Sequence, residues 1–122
     1  MGDLSKHFDS SEFQCGHCGR LDVLSGELVN CLERLRALVG KPLPIVSGYR
    51  CCEGNRSVGG TKYSQHLFGR AADIPAGYAT VAQCKEAGFA GIGVRAGKVV
   101  HVDLTPFTGK PWTKRRAFTF KD

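Results

Sequence analysis

The stretch GIGVRAGKVVHVDL, residues 91–104, sets two apolar runs on either side of Ala96 and Gly97, the pattern of two strands joined by a tight hairpin. Residues two apart in a strand point to one face, so His101 and Asp103 are expected together on one side, with Val100 and Val102 turned to the core. Upstream, RAADIPA (70–76) reads as a strand, and LPIVSGYR (43–50) as a short buried strand running into a turn. RRAFTF (115–120) is a candidate further strand. In DVLSGELVNCLERLRALVG (22–40), Val23, Leu24, Leu28, Cys31, Leu32, Leu35 and Leu38 recur at spacings of three and four, the mark of an amphipathic helix that Gly40 and Pro42 stop. ATVAQCKEAG (79–88) reads as a short helix, and the Gly-, Ser- and Asn-rich CCEGNRSVGGTKYSQHLFG (51–69) as an ordered loop. Helices mixed with hairpin-joined strands predict an α+β fold in which helices pack on one side of a mainly antiparallel sheet.

The chain has 122 residues, the size of one domain, and is expected to form a single domain over 1–122 without a linker or repeat. Apolar residues make up 42% and charged residues 23%, which excludes a disordered or membrane-embedded class. Seventeen Lys and Arg against eleven Asp and Glu give a formal charge of +6, which draws the chain toward polyanions: nucleic acid, anionic wall polymer or acidic lipid. The opening MGDLSKHFDSSEF lacks the apolar stretch of a secretory signal, and no apolar run approaches the length of a transmembrane helix. Six cysteines are many for this length, and their even number fits either a disulfide framework or reduced thiolates.

The chemistry concentrates in SQHLFGRAAD (64–73) and in His101-Val102-Asp103. Catalytic zinc commonly takes three ligands from His and carboxylates and keeps a fourth position open, and His66, Asp73 and His101 supply such a set. Asp103, on the same face as His101, is expected either to orient an imidazole or to take the proton of an attacking water as general base.

SGYR (47–50), NRSVGG (55–60), SQHLFGRAADI (64–74), and GIGV (91–94) followed by VVHVDL (99–104) resemble the M15 group of zinc D-Ala-D-Ala carboxypeptidases and murein endopeptidases. That group shares its fold with the hedgehog signalling domain. The similarity runs from about residue 7 to residue 112, and HFDSSEFQC (7–15) is also similar to the start of that domain. The resemblance implies His66, Asp73 and His101 as zinc ligands, Arg50 as an anchor for a substrate carboxylate, and Ser47 and Ser64 as polar pocket residues. One departure concerns the base: several members carry a Glu or Asp three residues before the last His, where this chain has Lys98. The subgroup ending in His-x-Asp offers Asp103 instead.

The expected activity is therefore zinc-dependent hydrolysis of peptide bonds in peptidoglycan stem peptides or crosslinks, as a carboxypeptidase or an endopeptidase. The enzyme is expected to act as a monomer at the bacterial wall or periplasm, and release from the cytoplasm as a phage lysin fits the missing signal. The alternative is a zinc-containing binding module of the same fold without hydrolysis. Cys15-Gly16-His17-Cys18 forms a CxxC knuckle, and Cys51 and Cys52 are candidates to complete a second metal site or disulfides with it; a redox pair or buried thiols are equally open. Cys31 and Cys84 are expected in the core. Lys110, Lys114, Arg115 and Arg116 around Trp112 form a basic cluster, but no nucleic-acid motif accompanies it, and no specific nucleic-acid partner is expected.

Overall fold

Ser25 decides where the first helix begins. In the computed structural model, which describes residues 2–59, 64–104 and, as backbone, 117–119, its hydroxyl accepts the Leu28 N–H. Helix α1 therefore spans Gly26–Val39 and not the longer run from Asp22, and Val23, expected on the buried face, is exposed. Gly40 closes α1 in the left-handed conformation, donating its N–H to the Arg36 carbonyl. Leu28, Cys31, Leu32 and Leu35 are buried, as the spacing predicts.

Two features replace the expected loop at 51–69. Helix α2 spans Cys52–Ser57, capped by the Cys51 sulfur, which accepts the Gly54 N–H, and a 3-10 turn covers Gln65–Phe68. The strand expected in LPIVSGYR reduces to one bridge, Ser47 to Asp73. Pro44 lacks the N–H that a longer ladder needs.

Strand β1 is Ala71–Asp73, helix α3 is Val81–Ala87, and β2 (Gly91–Arg95) and β3 (Lys98–Asp103) form the expected hairpin. Ala96 and Gly97 both have positive φ, as a two-residue turn of this hand requires. The candidate strand near the C-terminus is present as β4, Ala117–Thr119. The sheet order is β1-β3-β2-β4; the first three strands are antiparallel and β4 lies parallel to β2. The fold is thus α+β with an antiparallel three-strand centre.

Leu28, Leu32 and Leu35 of α1 and Cys84 and Ala87 of α3 share one core with Ala72, Ile92, Val99 and Val102 of the sheet. Val100 departs from expectation. The pairing slips between Gly93 and Val94, so that Gly93 opposes His101 while Val94 opposes Val99, and Val100 becomes the extra residue of a bulge. Val99 and Val102 are the buried valines of β3; Val100 is only partly buried, and its carbonyl accepts the Ile74 N–H. No helix of the described residues is long and apolar enough to cross a membrane.

The N-terminal segment is held to α1 by Glu33. Its carboxylate accepts the Ser5 hydroxyl at 2.6 Å and the His7 N–H at 2.7 Å, and meets His7 Nδ1 at 2.7 Å. Phe8 and Phe13 bury their rings behind this anchor, with centroids 6.1 Å apart. Burial pushes the Glu33 carboxyl up, but the hydrogen bonds from Ser5 and His7 override it and hold its pKa below the ordinary Glu value. A depressed carboxyl stabilises the fold above its unfolded pKa of about 4.3, and that contribution is lost as pH falls through the lower folded value. Glu33→Gln removes one acceptor and is predicted to cost about 1 kcal/mol at pH 7. Urea denaturation should show the gap from wild type closing below pH 4, at about the ordinary carboxyl range; a gap independent of pH would contradict this role.

Candidate metal centre

Three elements converge on one carboxylate oxygen. His66 comes from the 3-10 turn Gln65–Phe68, Asp73 ends β1, and His101 sits directly opposite Asp73 in the β1–β3 ladder. Asp73 Oδ1 lies 3.2 Å from His66 Nε2 and 2.9 Å from His101 Nδ1. The backbone fixes Asp73 on both sides: its N–H donates to the Ser47 carbonyl and its carbonyl accepts the Val46 N–H, each at 2.8 Å.

The outer nitrogens determine the tautomers. His66 Nδ1 is 2.6 Å from the Gly48 carbonyl, which only accepts, so this nitrogen carries the hydrogen. His101 Nε2 is 2.7 Å from Asp103 Oδ2 and likewise donates to it. In the neutral rings, His66 Nε2 and His101 Nδ1 are then bare lone pairs, both aimed at an anionic oxygen. Acceptor facing acceptor is repulsive unless a cation lies between them. The two separations from Asp73 Oδ1 are close to the edge of a tetrahedral zinc site, about 3.3 Å for nitrogen and oxygen ligands, and all three atoms lie within 4.8 Å of one another. The donor set therefore fits zinc by chemistry and by dimension.

Electrostatics agree with this arrangement. Burial holds the His66 pKa down and keeps the ring neutral, opposed by the neighbouring Asp73. Burial would raise Asp73, but the His101 and His66 imidazoles lying against it take its carboxyl far below the ordinary range. His101 moves the other way: burial would lower it, and the Asp103 and Asp73 carboxylates raise it.

Asp103 does share the face of His101, as the strand period predicts, and is 1% exposed. It contacts the edge of the His101 ring opposite the one that faces Asp73. Gly93 and Gly91 oppose His101 and Asp103 on β2, so no β2 side chain competes for that face.

Asp73 opens onto a cleft of about 480 Å³ whose lining includes Ser47, Arg50, Cys15, His17 and Gly54. Arg50 is anchored by its N–H to the His66 carbonyl at 3.1 Å and by a guanidinium nitrogen to the Ser64 hydroxyl at 3.3 Å. Its Nε is buried and has no hydrogen-bond partner among the described residues. Burial lowers the Arg50 pKa against the pull of Asp73. Ser64 also accepts the His66 N–H, so it positions both a ring and the guanidinium. Ser47 contributes its backbone to Asp73 and its side to the cleft. Lys98 lies exposed at the start of β3.

A second cluster borders the same cleft. The sulfurs of Cys15, Cys18 and Cys51 lie within 4.8 Å of one another, while Cys52 is exposed and outside the group. Burial pushes the Cys15 thiol up, yet the N–H groups of Cys51, Cys18 and His17 bring it down to about 6. Cys31 and Cys84 are buried in the core as expected, where burial pushes each thiol up to about 11. The basic cluster around Trp112 lies outside the described residues.

Sequence reasoning did not single out Gly48, although its carbonyl fixes the His66 tautomer. A Cβ there would stand 2.8 Å from Phe13 Cα and 2.9 Å from Phe13 Cδ1. Gly48→Ala is predicted to shift this carbonyl and weaken zinc binding about tenfold in chelator competition; wild-type affinity in a folded variant would show that His66 needs no such support.

No curated protein matches the chain significantly. A family profile described as Peptidase M15 matches residues 6–103. The match contains both imidazoles, Asp73, Asp103, Arg50 and the cysteine cluster, and the chain belongs to the peptidase M15 family.

Proposed function

We propose that this protein is a zinc metallopeptidase that cuts peptide bonds in peptidoglycan stem peptides or their crosslinks. The observation that carries the reading is the convergence of His66 Nε2, Asp73 Oδ1 and His101 Nδ1, three acceptors, the two rings with their hydrogens directed elsewhere, beside a cleft that holds an anchored arginine. Zinc bound by these atoms supplies Lewis acidity, polarising a scissile carbonyl and making water a competent nucleophile near neutral pH.

The protein's own residues do the rest. Gly48 and Asp103 hold the two rings in the tautomers that leave Nε2 of His66 and Nδ1 of His101 bare. We assign Asp103 to this positioning role and not to that of general base. Its oxygen engages the far edge of His101, and it is as fully enclosed as a core side chain. Arg50 lines the cleft with a guanidinium held at one end by Ser64, a group suited to pairing a carboxylate. Such a carboxylate is available on a stem peptide, at its D-Ala end or on an acidic side chain. The basic balance of +6 favours residence on an anionic wall polymer.

A second reading, a zinc-containing binding module without turnover, is favoured by one observation. Among the described residues that line the cleft, the only carboxylate is Asp73, which faces the imidazoles, and the position where several members of the M15 group carry a Glu or Asp holds Lys98.

Digestion of purified peptidoglycan, followed by mass spectrometry of the products, separates the two readings. The wild type is predicted to release stem-peptide fragments, and His66→Ala to release none. Zinc loading without any cleavage would establish the binding module. Asp103→Asn is predicted to weaken zinc binding by about 10- to 100-fold and to regain turnover at saturating zinc. Full zinc affinity with turnover abolished would instead make Asp103 the base. Arg50→Ala should raise KM for a stem peptide with a free carboxylate by about 100-fold, with little effect on its amidated form.

A further inference from the structure

Outside the His-Asp centre, the described residues bring one other set of metal-ligating atoms together. Cys15 and Cys18 come from a tight turn in which the Cys15 N–H donates to the Arg20 carbonyl and the Gly19 N–H donates to the Cys15 carbonyl, each at 2.8 Å. Cys51 arrives from 36 residues away, as the cap of α2. We propose that Cys15, Cys18 and Cys51 bind a second zinc ion as three thiolates, and that this ion fixes the wall of the cleft that carries Arg50.

Dimension supports this assignment. Cys15 and Cys51 have their sulfurs 3.7 Å apart. A tetrahedral zinc–thiolate site has a sulfur–sulfur edge of about 3.8 Å, whereas a disulfide bond is about 2.05 Å. The environment suits thiolates as well. Cys15 Sγ accepts the His17 and Cys51 N–H groups at 3.4 Å each, and Cys51 Sγ accepts the Gly54 N–H at 3.2 Å. Glycine at 54 is required by the same packing: a Cβ would lie 3.1 Å from Cys15 Sγ, 3.4 Å from Cys51 Sγ and 2.9 Å from His17 Cβ. The first turn of α2 is thus laid over the sulfurs with no side chain between.

Among the described residues, no fourth ligand atom joins the three sulfurs. Cys31 and Cys84 are committed to the core, Cys52 is exposed and outside the cluster, and the His17 ring turns toward Glu53 at 3.6 Å. Cys51 directly follows Arg50, so holding its sulfur restrains the backbone from which the guanidinium reaches Ser64. The ion thereby ties the N-terminal knuckle, α2 and the Arg50 segment into one wall.

Zinc stoichiometry on protein purified under reducing conditions tests this without reference to peptidase activity. The wild type should hold two zinc ions per chain, Cys18→Ser one and His66→Ala one, with Cys52→Ser keeping both. Cobalt-loaded wild type and His66→Ala should show a thiolate-to-cobalt charge-transfer band that Cys18→Ser lacks. A thiol-specific mercurial should release one zinc from the wild type, a readout that needs no variant to fold. A zinc content unchanged in Cys18→Ser, a charge-transfer band that survives in Cys18→Ser, a Cys15–Cys51 disulfide found by mass in the reduced preparation, or loss of the second ion in Cys52→Ser would each overturn the assignment. A single wild-type zinc that Cys18→Ser removes and His66→Ala keeps would uphold it and count against the His-Asp-His centre instead.

Discussion

The structure turns on a single oxygen. Asp73 Oδ1 meets one lone pair from His66 and one from His101, and both rings have their hydrogens committed elsewhere, to the Gly48 carbonyl and to Asp103. Three acceptors forced within hydrogen-bond distance store repulsion that only a cation or a proton can relieve. Much of the surrounding fold keeps these atoms in place: the β1–β3 register sets Asp73 opposite His101, and the single bridge to Ser47 clamps Asp73 from its other side. The bulge at Val100 lets Val99 and Val102 both face the core while His101 and Asp103 keep the opposite face.

The apolar layer beneath explains why this geometry is stiff. Ala72 and Val102, cross-strand partners, pack into the core shared with α1 and α3, while their neighbours Asp73 and His101 project from the other face. A shift of one residue in register would turn the ligands inward and expose the valine. The metal centre and the hydrophobic core are thus two faces of one strand pairing, and neither can slip without the other.

Much of this was legible in the sequence, for physical reasons. The hairpin at 91–104 declares itself by two apolar runs around a turn pair, α1 by its spacing, and the His-Asp-His set by ligand chemistry and family resemblance. Other features depend on contacts that periodicity does not encode. Helix α2 forms in a Gly- and Asn-rich stretch because a cysteine sulfur caps it, and the strand expected at 43–50 fails because Pro44 has no N–H. A strict two-residue alternation cannot announce a bulge, and Val100, which that alternation assigns to the core, is only partly buried. For Asp103, the period places it beside His101, but which ring nitrogen it holds is a three-dimensional fact. The knuckle cysteines were visible as a CxxC pair; that Cys51 and not Cys52 joins them follows from α2.

Nitrogen-15 NMR of the histidine rings in zinc-loaded protein tests the central claim most directly, because each ring nitrogen reports separately whether it bears hydrogen or metal. The account predicts His66 protonated at Nδ1 with zinc at Nε2, and His101 protonated at Nε2 with zinc at Nδ1. The same nitrogen type bound to zinc in both rings, or rings whose spectra do not respond to zinc, would contradict it.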